Sequence, residues 1–169
     1  MFHVFCLAAA MVLSGCGGVP LPAFGRLDLC KSISREEVGA ALGSAPATLA
    51  NGAETGSPHP ECTWITEDDP PRVLTAAIWR EAALVREGRT TAGEAFFAAE
   101  LAALERSFPN VRLLGGVGDA AVIGIGDFEE ERFTGGILVR QGSDVMALRI
   151  DGADPAAFEA VARKLAERL

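Results

Sequence analysis

Clustered basic residues, histidine, Cys-x-x-Cys pairs and long apolar runs are all scarce in this 169-residue chain, and each scarcity closes a class of function. Fifteen Lys and Arg stand against 23 Asp and Glu, for a formal charge of -8, and the cations gather nowhere into a patch. Nucleic acid, whose phosphates call for clustered cations, is thereby set aside as a partner. Histidine occurs only as His3 and His59, and there is neither a Gly-x-Ser-x-Gly elbow nor a Ser-x-x-Lys pair, so nucleophilic catalysis has no recognisable apparatus. His59, inside Pro58-His59-Pro60, reads as a solvated loop residue. The apolar stretch Val4 to Leu13 is about ten residues long, well short of the roughly 20 that cross a bilayer.

That short stretch is followed by Leu13-Ser14-Gly15-Cys16, which resembles the lipobox of bacterial lipoproteins at all four positions. The expectation is a signal peptide over residues 1–15, cleaved so that Cys16 becomes the lipidated first residue of the mature chain. Met1-Phe2-His3 carries no Lys or Arg where signal peptides are positively charged, and a start codon further upstream would account for this. A membrane partner reached through the lipid, and a place on the outside of the cell envelope, follow. Gly17 stands where an inner-membrane retention signal has Asp, which directs the protein to the outer membrane if the source has two. Residues 17–27, with Gly17, Gly18, Pro20, Pro22 and Gly25, read as a flexible tether, and residues 28–169 as one domain.

Of four cysteines, Cys6 leaves with the signal and Cys16 takes the lipid, so Cys30 and Cys62 remain as the possible internal pair. A disulfide is the natural reading in an exported protein, and closing a loop of roughly 33 residues contributes about 3 to 4 kcal/mol in the chain-entropy model. The alternative is a two-cysteine metal or redox site, for which His59 is the one imidazole on offer. No cofactor and no metal are expected.

Ser34 with Glu37 forms a capping box, Ile33 and Val38 a hydrophobic staple, and Gly43 a left-handed stop, predicting a helix over 34–42. A loop follows over 44–60 with one weak strand near Ala47 to Leu49. Cys62 to Thr66 and Val73 to Trp79 read as a hairpin about Asp68-Asp69-Pro70-Pro71. Thr91 and Glu94 cap a second helix whose Phe97, Leu101, Leu104 and Phe108 fall on one face as core, ending at Pro109. Strands are expected at Ala120 to Ile125, Gly136 to Arg140 and Val145 to Ile150, the last two turned by Gln141-Gly142-Ser143-Asp144. Asp154 and Pro155 open a final helix with Phe158, Val161, Leu165 and Leu169 on one face. The order does not alternate strand with helix, so the expected class is α+β: an antiparallel sheet of about five strands with three helices packed mainly on one face.

Asp28-Leu29-Cys30, Val38-Gly39-Ala40-Ala41-Leu42-Gly43, Cys62-Thr63-Trp64 and Gly116-Val117-Gly118-Asp119-Ala120-Ala121 occur in an order that resembles a group of secreted bacterial lipoproteins known as domain of unknown function 3558. The resemblance spans about residues 27 to 168. It implies pairing of Cys30 with Cys62 and an envelope address, and it implies no shared enzymatic residues.

Gly116 to Ala121 looks superficially like a dinucleotide loop, but a strand-like run follows it where a helix is required, so it reads as a turn entering a strand. The acidic run Asp127, Glu129, Glu130 and Glu131 lacks the twelve-residue calcium-loop pattern and reads as a solvated charged turn. The function expected is a non-catalytic module of the envelope that binds a protein or small ligand. An envelope-acting hydrolase built on a carboxylate pair, such as Asp119 with Asp127, and a structural accessory subunit of an envelope complex are the alternatives.

Overall fold

A computed structural model describes residues 28–43, 46–52, 59–81, 85, 93–129 and 132–167. The signal segment, Cys16, the tether, Thr91, Glu130, Glu131 and Leu169 lie outside the described residues. After a 3-10 turn at Leu29–Lys31 the order is α1 (Arg35–Leu42), β1 (Thr48–Gly52), β2 (Glu61–Ile65), β3 (Val73–Trp79), α2 (Gly93–Ser107), β4 (Asn110–Leu113), β5 (Ala120–Glu129), β6 (Arg132–Gln141), β7 (Asp144–Gly152) and α3 (Pro155–Glu167). All strand pairs are antiparallel and form one sheet in the order β1-β2-β3-β7-β6-β5-β4.

The class is therefore α+β, but with seven strands where about five were expected. The count grows at the two edges: β1 overlaps and extends the weak strand expected near Ala47 to Leu49, and β4 was not expected. All five residues of β1 are exposed, and β4 buries none of its four, so neither edge announces itself by apolar alternation. Strands β5 and β6 also outrun their apolar centres, pairing through to Glu129 and Arg132. Asp127 thus stands in a strand, not in the turn read from the acidic run.

Helix starts follow their caps. Ser34 and Glu37 make both bonds of the capping box, at 3.2 and 2.9 Å, and Gly43 closes α1 at φ 71°. Arg72 donates to the carbonyls of Leu42 and Gly43, satisfying the orphaned end of that helix. Asp154 accepts from the amides of Ala156 and Ala157 at the start of α3.

The helices divide between the two faces of the sheet, two on one and one on the other, where packing mainly on one face was expected. On the first face, α1 and α3 bury Val38, Leu42, Phe158 and Leu165 against Leu74, Ile137, Met146 and Leu148. Lys164 pairs with Glu37 and Arg112 with Glu159, tying α3 to α1 and to the β4 edge. On the second face, α2 packs Phe97 and Leu104 on Val122, Leu138, Val145 and Ala147. The crossing is forced: β3 lies mid-sheet and β4 at the far edge, so the helix between them must pass over β7, β6 and β5. Its seat is cut by glycine. Gly124 and Gly136 are cross-strand partners, and a Cβ on either would stand 2.9 Å from Phe108 or 2.5 Å from Leu104.

Cys30 and Cys62 are joined by a disulfide with a Cα–Cα separation of 5.5 Å. The bond fastens the 3-10 turn to β2 and so holds the entry to α1 against the sheet.

Candidate functional site

Because α2 covers only the β7-β6-β5-β4 half of the second face, the β1-β2-β3 half is left bare beside it. Strand alternation puts Thr63, Ile65, Val73 and Thr75 on that bare area, half-buried, with the Thr63 and Thr75 hydroxyls 3.3 Å apart. The step between helix and sheet is a groove. One wall is the α2 stripe Phe96, Glu100, Ala103 and Ser107, spaced i, i+4, i+7 and i+11. The floor is Thr75, Ala77, Ala147 and Arg149.

Three adjoining hollows make up its length. The first, about 540 Å³, runs between Glu61, Trp79 and Glu100; it shares Glu100 and Arg149 with a narrower one of about 220 Å³ under Leu104. That in turn shares Ser107 and Thr134 with a wide one of about 890 Å³ bounded by Asp127, Arg132 and Asp151. Pockets of this size accept small organic ligands or short peptide segments.

The two ends differ in how far their cations are committed. Arg132 holds Asp151 through two bonds of 3.1 and 2.7 Å and reaches the carbonyls of Pro70 and Pro71, so it braces the β2-β3 turn against the β6-β7 ladder. Arg149, exposed between the first two hollows, has no carboxylate or carbonyl in bonding distance of its guanidinium among the described residues. At the other end of the first hollow, four residues along β3 from Thr75, the strand partner of Arg149, Trp79 meets Phe96 with ring centroids 5.4 Å apart and forms an apolar wall.

The residues singled out from sequence fall elsewhere. Asp119 accepts from the Gly142 amide at 2.6 Å and steadies the β6-β7 turn. Asp127 stands eight positions further along β5, roughly 25 Å away at 3.3 Å per residue, so no carboxylate dyad forms from the two. Gly116 and Gly118 take φ of 74° and 55° in the turn that enters β5, with Val117 buried, as a turn reading requires. His59 is half-buried, not fully solvated, because Pro60 beside it is buried and bonded to Ile78. No group of three or more His, Cys, Asp or Glu among the described residues is placed to hold a metal ion. No helix among the described residues is long and apolar enough to cross a membrane.

The buried carboxylate Asp144 is set apart from the groove, in the β6-β7 turn beneath the start of α2. Burial raises its pKa above the ordinary 3.8; the Glu81 amide, donating at 3.2 Å, and the charge of Arg80 work against that rise, and the Glu81 carboxylate with it. Its second oxygen has no hydrogen-bond partner among the described residues. Gly93 opens α2 hard against this turn, where a Cβ would meet the Ser143 carbonyl at 1.9 Å.

Sequence reasoning missed Thr75, Trp79, Glu100 and Arg149. One signal was present: Arg149 interrupts the apolar run Val145 to Ile150 of a central strand, where a charge is tolerated only if that face is open. No family model, no curated protein and no solved structure matches the chain.

Proposed function

We propose that this chain is a lipid-anchored, non-catalytic binding protein of the bacterial cell envelope, akin to the domain of unknown function 3558 lipoproteins. Residues 1–15 direct export, Cys16 carries the lipid, residues 17–27 form the tether, and the α+β domain presents the groove beside α2 to a ligand. In a two-membrane source the outer membrane is its place. The observation that carries the binding reading is the groove itself: an aromatic wall, hydroxyls and a guanidinium unpaired among the described residues, in one open channel. The disulfide supports an oxidising, extracytoplasmic setting. The separation of Asp119 from Asp127 favours binding over hydrolysis by that pair.

Native mass spectrometry of the full chain, drawn gently from the membrane of its own host, tests both halves. The expected species carries acyl chains on Cys16 and a small non-covalent mass, and the mass is lost from Thr75→Trp, which fills the groove. An unacylated chain overturns the anchor. A bare lipidated chain in wild type and variant alike overturns tight binding in the groove.

A further inference from the structure

Resting on that binding reading, the geometry points to a ligand class: we propose that the groove takes a short apolar peptide with free termini, its carboxylate on Arg149 and its ammonium held between Glu61 and Glu100. The charges in the first hollow are two carboxylates and one guanidinium, and no ion pair joins them. A simple anion drawn to Arg149 meets two like charges, and a simple cation drawn to the carboxylates meets Arg149. A ligand with both charges at its ends satisfies all three; Ala77 and Ala147 lie on the way from Arg149 to the carboxylates, and Trp79 and Phe96 add an apolar wall beyond the carboxylate end.

Strand register sets the length. Glu61 pairs with Ala77 and Ala77 with Ala147, so Glu61 and Arg149 stand two strands apart and two residues offset. With strands about 4.8 Å apart and a rise of about 3.3 Å per residue, their Cα atoms are roughly 12 Å from each other. With both side chains standing off the sheet, one hydrogen bond of about 2.8 Å at each end leaves roughly 6 to 7 Å, which an extended dipeptide of about 7 Å spans.

The test is titration of the full chain in detergent micelles with Ala-Leu, followed by NMR at the Trp79 indole N–H. N-acetylated and C-amidated forms of the same peptide run beside it. Saturable binding is expected, with amidation weakening it about tenfold or more in wild type and hardly at all in Arg149→Gln. Acetylation should weaken it likewise in wild type but not in Glu61→Gln/Glu100→Gln. These variants are exposed or half-exposed and keep the fold, which their spectra verify. Absence of Ala-Leu binding, or equal affinity for free and doubly blocked peptide, overturns the peptide-terminus assignment. A native-extracted ligand still lost from Thr75→Trp would leave the groove reading standing in that event.

Discussion

The two faces of the sheet are built to different standards. The first is covered by two helices, crosslinked by ion pairs and continuous with the disulfide end of the domain. The second is covered by one helix over half its width, and the remainder is threonine, small residues and an uncommitted arginine. A sheet needs one well-sealed face to be stable, and the largest fully buried side chains among the described residues, Trp64, Phe133 and Phe158 first, all belong to that core. That leaves the other face free to be shaped for contact.

Removing one large ring from each face breaks the comparison most severely. Phe158, wholly buried against Phe133, should cost about 3 to 5 kcal/mol as Phe158→Ala, enough to unfold a marginal domain. Phe96→Ala opens onto the groove, where solvent fills the space, and should cost less, about 2 kcal/mol. Urea midpoints of the two variants check this; equal losses would contradict the asymmetry.

Next in size is the disulfide, which serves the first face. Cys30→Ala and Cys62→Ala should each cost about 3 kcal/mol without reductant and differ little from each other, because each deletes one link. Reductant should bring wild type down to the same level in denaturant titrations. Then comes Gly93→Ala, whose Cβ has no room against the Ser143 carbonyl; lifting α2 should cost about 1 to 3 kcal/mol and blunt ligand binding in the groove.

The smallest effects have opposite signs. Arg112 and Arg163, donating at 2.5 and 2.7 Å, hold the Glu159 carboxyl below its ordinary 4.5. Its stabilising contribution is complete above the unfolded value and is lost as pH falls through the lower folded one. Asp144 is raised by burial, so its contribution is complete below 3.8 and is lost as pH rises through its higher folded value. Stability measured between about pH 2 and pH 7 should therefore lose part of its acid-side fall in Glu159→Gln, and part of its neutral-side fall in Asp144→Asn.

Local chemistry made much of this fold legible. Ser34 with Glu37, and Asp154 with Pro155, located two helices because a cap is written in three or four adjacent residues. The Gly142 turn located the β6-β7 hairpin for the same reason. Strand β4 was hidden because Pro109 reads as the end of a helix and an exposed edge needs no apolar alternation. Periodicity in Phe97, Leu101 and Leu104 showed which side of α2 is apolar, but the face of the sheet it meets depends on where β3 and β4 lie, which is a property of the whole topology. The groove was the least legible feature, since it arises from what α2 leaves uncovered; only Arg149 in an apolar strand and the glycines at 124 and 136 hinted at it.

Native-state amide exchange on the full chain tests the difference between the faces most directly. The account predicts that α1, α3 and β7 exchange only with global unfolding, while α2 opens locally at a lower free energy. Protection of α2 equal to that of α1 and α3 would contradict it, and would make the second face as much a part of the scaffold as the first.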